Sequence, residues 1–452
     1  MFQKILIANR GENAVRIERT CERMGIATVA IYDEADQSSR HVQICNEAYR
    51  VAPGANDKSY LNAEAIVDIA KKSKAEAIHP GVDLLAETPA FVRAVENAGL
   101  TFIGPKADTL EILANKAKAR SLAVNSGIRI IKGTDGTITE VEQARNLAES
   151  IGYPLALKAL YRGAGIGLRV IENGAQLEQA VRRDPSHIRE GQTGFYLESY
   201  IEKPRHLEVQ IIADKNGSCI ALGERECSIQ KDHRKLLEES PAPALTAMTR
   251  GDLKRQMICE SAVAMAKEAD FHGVGTVEFL VDAENRFYFL GFVPRLQLEH
   301  SVTELRTDLD LVELQIRIAA GEKLPVKALR AEPSGHAVEA RIYARETSRD
   351  LRRRRGKIAE LRWPAMTPGK LRIETCIAPE SEITPSDNPL IAKIVTYGPT
   401  RNRAILALDR ILAETVISPI TTNISFLRSI IQNLSFQAGQ FDTSFCDALA
   451  KS

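Results

Sequence analysis

The stretch that most limits what this chain can fold into is residues 1–113, where short apolar runs alternate with helix-forming segments. Lys4–Asn9 reads as a buried strand, Gly11–Met24 as a helix and Thr28–Tyr32 as a second strand. Ala65–Lys72 and Ala77–Pro80 repeat the helix-then-strand order. A parallel neighbour is reached only by a crossover, so this alternation predicts βαβ units and a doubly wound α/β domain. The segment IANRGENAVR has no G-x-G-x-x-G, the pattern that lets backbone approach a pyrophosphate, which argues against a dinucleotide fold.

The length of 452 residues predicts about three domains. An apolar share of 44% is enough for large cores, and a net charge of +1 gives no global field toward nucleic acid or an anionic membrane. Seven scattered cysteines without a CxxC pair point to reduced thiols, neither a disulfide frame nor a zinc site. The opening MFQKILIAN reads as a strand and not a signal peptide. No apolar run approaches the ~18 residues of a membrane span. A cytoplasmic protein is expected, with no nucleic acid and no membrane among its partners.

Chemistry-bearing residues concentrate in the middle of the chain. In GYPLALKALYRGAGIGLRV, apolar residues lead to Lys158, an ammonium that a strand could deliver to a phosphate, followed by Gly163, Gly165 and Gly167. Residues without a Cβ let successive N–H groups close over phosphate oxygens, although a flexible hairpin tip reads the same way. In FYLESYIEKPRHLEVQI, two strands flank a proline turn, and His206, Glu208 and Gln210 alternate onto one face; such a polar stripe is ordinarily solvated. GERECSIQKDHRKLLEESPAP packs Glu224, Cys227, Gln230, His233, Lys235 and Glu238 between apolar strands. Glu278 stands amid Val277, Phe279 and Leu280, where a charge is costly to bury unless paired or bound to metal. Finally, FYFLGFVPRLQLEHSVTE reads as a strand with Phe287, Phe289, Gly291 and Val293 on one face. Pro294 ends it, and a dense group of Arg295, Gln297, Glu299 and His300 follows.

These strings, with IANRGE, AIHPG, TFIGP, GHAVEARIYARE, TPSDNPLIAKIV and ISPITTNISFL, resemble biotin carboxylase of the ATP-grasp superfamily over essentially the whole chain. The resemblance implies a doubly wound N-terminal domain over 1–113. It implies an ATP-grasp domain over 114–330 with a small lid at about 131–203, and a C-terminal α+β domain over 331–452. It implies that Lys116 and Lys158 reach nucleotide phosphates and that the glycine loop covers them. Glu198 to Ile201 would form the adenine hinge, and His206, Gln230 and His233 would face the nucleotide. Glu278 would hold magnesium. Cys227, Lys235, Arg295, Gln297, Glu299 and Arg341 would carry the carboxylation chemistry. There Lys235, Arg295 and Arg341 hold anions, Glu299 acts as base, and biotin arrives on a separate carrier protein.

The sequence departs from the family at the phosphoryl end. The family strand runs Glu-x-Asn-x-Arg-x-Gln-x-Glu-His, with its Glu and Asn directed at magnesium; here those positions are Gly291 and Val293. Tyr161, Arg162, Ala164 and Ile166 interrupt the glycine run, Ser199 stands in the hinge, and Arg234 replaces a Gln. Arg352, Arg353, Arg354 and Arg355 replace a Pro-Ser-Pro turn, either as a solvated loop or as a contact for an acidic partner. Arg23, where the family has a carboxylate, is a second candidate altered contact. The expectation is a stand-alone subunit of the acetyl-CoA carboxylase type with little or no ATP-dependent turnover. It would associate as a homo- or hetero-dimer with a catalytic subunit, or with the biotin carrier. The rivals are a working carboxylase and a sensor of nucleotide or bicarbonate.

Overall fold

The computed structural model describes residues 1–53, 59–134, 138, 141–159, 168–182, 195–232, 234–344, 356–365, 369–383 and 390–451. The first unit is a five-stranded sheet of β1 (Lys4–Ile7), β2 (Ala27–Tyr32), β3 (Glu47–Arg50), β4 (Ala77–His79) and β5 (Thr101–Phe102), ordered β3-β2-β1-β4-β5. Every pairing is parallel. Ile5, Leu6 and Ile7 are all fully buried, as expected of a strand covered by helices on both sides. Gly81 adopts φ +69°, and a Cβ there would collide with the Asn9 side chain, whose Nδ2 donates to the Pro80 carbonyl at 3.0 Å. The strings IANRG and HPG are therefore two halves of one packed turn.

A small second sheet, ordered β7-β6-β8, is built from β6 (Leu155–Ala159), β7 (Leu168–Ile171) and β8 (Phe195–Ser199). Helices Val141–Ile151 and Gly174–Arg182 pack Ala144, Ala148 and Leu177 against Leu155, Leu157, Ile171 and Leu197.

The remainder is organised by β9 (Arg205–Ala213), β10 (Cys219–Lys231), β11 (Arg234–Ser240), β12 (Gly273–Val281), β13 (Phe287–Val293) and β14 (His336–Tyr343). Further on come β15 (Gly356–Lys357), β16 (Glu360–Arg362), β17 (Leu371–Thr375), β18 (Glu382–Ile383), β19 (Leu390–Gly398) and β20 (Val416–Ser418). Eight of these form one antiparallel sheet, β13-β12-β9-β10-β11-β14-β19-β17, while β15 pairs with β18 and β16 with β20. The sheet runs unbroken across residue 330, because β11 pairs with β14 (Leu237 opposite Ala340, Glu238 opposite Glu339).

One expectation needs correction: Phe287, Phe289, Gly291 and Val293 do not share a face. Phe289 pairs with Phe279 but Gly291 pairs with Glu278, so Leu290 is an extra residue, a β-bulge. The bulge reverses the alternation. Phe292 joins Phe289, Phe279 and Val277 in the core, while Gly291 and Val293 share the face of Glu278 and Thr276.

A buried ionic network ties the N-terminal unit to the large sheet. Arg16 lies 2.9 Å from Glu304, 3.0 Å from Asp310 and 3.2 Å from Glu374; Lys393 lies 2.7 Å from Glu374 and 3.4 Å from Glu12. Among the described residues no helix is long and apolar enough to cross a membrane.

Candidate active site

The register of the large sheet places one row of side chains across four adjacent strands. Gly291 on β13 lies opposite Glu278 on β12, Glu278 opposite Glu208 on β9, and Glu208 opposite Arg225 on β10. Side chains on one face of paired strands stand close enough to interact directly. His206 and Gln210 flank Glu208 on the same face, and all three are buried. The stripe is thus an interior charged layer and not the solvated face that such a pattern ordinarily marks, and it survives only because its members neutralise one another.

Arg225 anchors one end of the row. It is fully buried, and its guanidinium donates to five side chains: Glu208 Oε1 at 2.6 Å, Gln210 Oε1 at 2.5 Å, Gln297 Oε1 at 2.9 Å, Thr303 Oγ1 at 3.0 Å and Thr276 Oγ1 at 3.1 Å. Only a planar, multiply donating cation serves so many acceptors at once. Because Arg225 takes the amide oxygen of Gln297, the amide nitrogen of Gln297 is turned to Glu278 Oε1, 3.2 Å away. Sequence reading passed over Arg225; the available signal was an arginine held at the centre of GERECS, between apolar strand ends.

Lys235 stands among three carboxylates. Its Nζ lies 2.7 Å from Glu208 Oε2, forms a close ion pair with Glu299 and lies 3.9 Å from Glu278 Oε1. Burial opposes its charge, but the surrounding carboxylates prevail and raise its pKa well above 10.5. Glu299 is also held by Arg341 at 3.0 Å, and Arg341 forms a second close pair with Glu238. Burial works against ionised Glu299, yet Lys235, Arg341 and Arg225 together keep its pKa well below 4.5. Cys227 is fully buried next to this group, and burial first, then Glu208, drives its thiol pKa far up, so it is a neutral thiol and not a nucleophile. Gln230 is opposite Lys235 in the ladder.

The loop after β13 divides its polar residues. Arg295 donates to Glu87 at 2.7 Å, a carboxylate from the N-terminal unit, while Gln297 and Glu299 join the row. His300 turns away, its Nδ1 2.7 Å from the Gln297 carbonyl oxygen and its Nε2 3.9 Å from Glu304 in the other ionic network.

A second cluster lies at the small sheet. Lys158 and Arg120 both form close ion pairs with Glu198. Lys116 Nζ lies 3.2 Å from the Tyr196 hydroxyl, and both lysines sit over the Tyr196 ring, at 5.1 and 5.7 Å from its centroid. The Ser199 N–H donates to the Lys132 carbonyl at 2.8 Å, tying the expected hinge to the segment before the small unit. Gly163, Gly165, Gly167, His233 and the run Arg352 to Arg355 lie outside the described residues.

A doubly wound unit, a small sheet bearing a paired lysine, and an antiparallel sheet with an interior row of carboxylates and cations together define an ATP-grasp architecture. Three family models match in succession: biotin carboxylase N-terminal domain over 1–110, the ATP-binding domain of the carbamoyl-phosphate synthase L chain over 115–327, and biotin carboxylase C-terminal domain over 339–448. The chain is 41% identical over 452 residues to biotin carboxylase 1 of Bacillus subtilis, covering 99% of this chain and 98% of that one. It is similar to the Campylobacter jejuni biotin carboxylase structure in complex with β,γ-ATP, with a TM-score of 0.93, 35% identity and 99% of each chain covered. It is also similar to the biotin carboxylase domain dimer of Hydrogenobacter thermophilus 2-oxoglutarate carboxylase, solved with MgADP, ADP and bicarbonate. There the TM-score is 0.92 and the identity 38%, over 99% of this chain and 98% of that one. The chain belongs to the biotin carboxylase family.

Proposed function

We propose that this chain is a biotin carboxylase subunit whose anion-holding half is intact and whose phosphoryl-transfer half is impaired. The observation carrying this reading is the register of β12 and β13, in which the position facing Glu278 is Gly291. Val293, on the same face, offers only methyl groups. Magnesium in phosphoryl-transfer sites is held by one or two carboxylates plus phosphate oxygens. With Glu278 alone, the residues do not fit a site for two such ions, and no rotamer change can supply the missing oxygens.

The other half has what an anionic substrate needs. Lys235, Arg295 and Arg341 present three cations, each already paired with a carboxylate (Glu208, Glu87 and Glu238), so they are held in position without substrate. Preorganised charge of this kind stabilises an anion without reorganisation. Glu299, the base by resemblance, is a weak base while Lys235 and Arg341 hold it, and takes a proton only when an anion draws one of them away. Lys116 and Lys158 at the small sheet are the groups for nucleotide phosphates. Biotin would come on a separate carrier protein, and association with that carrier or with a catalytic subunit, as a dimer in the cytoplasm, is the proposed role.

The test is bicarbonate-dependent ADP release from magnesium-ATP with free biotin. The expected result is a rate no greater than the no-enzyme control; robust turnover overturns the reading. A second reading, a working carboxylase using Glu278 with one fewer protein ligand, is favoured by the complete set Lys235, Arg295, Gln297, Glu299 and Arg341, and the same assay selects between them.

A further inference from the structure

The row leaves one polar atom without a hydrogen-bond partner at its metal end. His206 is only 7% exposed, and its Nε2 is buried without a hydrogen bond. A buried imidazole nitrogen in that condition is costly and calls for a reason. Its surroundings supply one. His206 lies two residues from Glu208 on β9, and Glu208 faces Glu278, so His206 is diagonal to Glu278 on one face of the sheet. The distance from His206 Nε2 to Glu278 Oε1 is 3.8 Å. That is too long for a hydrogen bond, but it suits two donors that share one ion at roughly 2.0–2.2 Å each. Glu208 also places an oxygen within 4.8 Å of both.

We propose that His206 and Glu278 form a mixed nitrogen–oxygen site for a divalent transition ion of the manganese-to-zinc series, in preference to magnesium. Replacing a carboxylate by Gly291 opposite Glu278 shifts the remaining donor set from all oxygen toward imidazole. Magnesium demands oxygen ligands, whereas imidazole suits the later transition metals. Among the described residues, the Gln297 amide at 3.2 Å and the Lys235 ammonium at 3.9 Å compete with an ion at Glu278 Oε1. Lys235 has Glu208 and Glu299 as closer partners, so its position does not depend on Glu278. Glu208 is committed to Arg225 and Lys235, and contributes charge more than a ligand atom.

The inference rests on the reading above only in that Glu278 faces the cation, and it is tested without ATP or bicarbonate. The full-length chain is titrated with cobalt(II) and with magnesium chloride by calorimetry. The expected result is one cobalt per chain, bound more tightly than magnesium, with an absorption spectrum of nitrogen ligation. His206→Ala should weaken cobalt by at least about 10–100-fold, the scale on which metal sites respond to losing even an orienting partner, and leave magnesium unchanged. Cobalt binding no tighter than magnesium, or unaffected by His206→Ala, overturns the proposal. If that variant fails to fold, pulsed EPR of manganese bound to the wild-type chain decides, by the presence or absence of histidine nitrogen coupling. Failure here leaves the impaired-enzyme reading standing, while turnover with magnesium overturns that reading whichever metal binds best.

Discussion

The two ends of the row Gly291–Glu278–Glu208–Arg225 are built on different terms. At the Arg225 end, the charges belong to the core. Arg225, Glu208, Lys235, Glu299, Arg341 and Glu238 are interlocked, so removing any one takes an ion-pair partner from a buried neighbour. At the Gly291 end, the donors would come from an edge strand whose packing is done by its opposite face, Phe289 and Phe292 against Val277 and Phe279. A side chain pointing to the site from that strand has no folding task. On the proposed reading, the anion-holding half is therefore bound up with stability, while the metal half can change without disturbing the fold.

The sharpest way to break this contrast is Arg225→Met, which removes one of the two cations on the buried Glu208 carboxylate and the donor to Gln210 and Gln297. Truncating one partner of a buried ion pair costs about 3–5 kcal/mol, to be read from denaturant melts; a loss under ~1 kcal/mol would mean the cluster does not hold the sheet. Next comes Gly291→Glu combined with Val293→Asn, which restores the oxygen donors. Bicarbonate-dependent ATP hydrolysis should rise roughly 10²–10³-fold, the usual scale for an electrostatic group aimed at developing charge. No rise would show that the two halves are not separable in this way.

A smaller effect concerns Glu238. Burial, aided by Glu299, lifts its pKa from 4.5 to about 7 despite Arg341. In that window the folded chain holds a proton the unfolded chain has released. Its contribution to stability is thus complete below pH 4.5 and is lost as pH rises through 7. Glu238→Gln should flatten the fall in stability between those values by ~1–3 kcal/mol relative to wild type, measured as unfolding free energy against pH; parallel curves would refute it. The smallest effect is expected at Arg23, whose side chain is 56% exposed and pairs with Asp310. Arg23→Ala should change stability by at most ~1 kcal/mol, since an exposed pair gains little; a larger loss in thermal melts would place Arg23 among the interior charges.

The parallel first sheet was legible because helix and strand periods alternate plainly in residues 1–113. Most of the candidate site was legible too, because SIQKDHRK and RLQLEH are too polar to be ordinary strand text. Three things were not. The bulge at Leu290 was hidden, since alternation of Phe, Leu, Gly and Val carries no mark of an inserted residue, and it moves Gly291 and Val293 to the site face. Arg225 was hidden because its five acceptors come from Glu208, Gln210, Thr276, Gln297 and Thr303, scattered through the chain. The burial of His206, Glu208 and Gln210 was hidden because strand alternation says which residues share a face but not whether that face meets water.

By itself, then, the sequence determined the element types, the family and the residues available for chemistry, all of which follow from local periodicity and short strings. Only the tertiary structure decided which of those residues meet. Pairing β13 with β12 through a bulge sets a glycine against Glu278, and pairing β9 with β10 sets Arg225 against Glu208. The physical reason is that cross-strand register is a long-range property. It is fixed by how the apolar faces bury, so it appears in no single stretch of the chain.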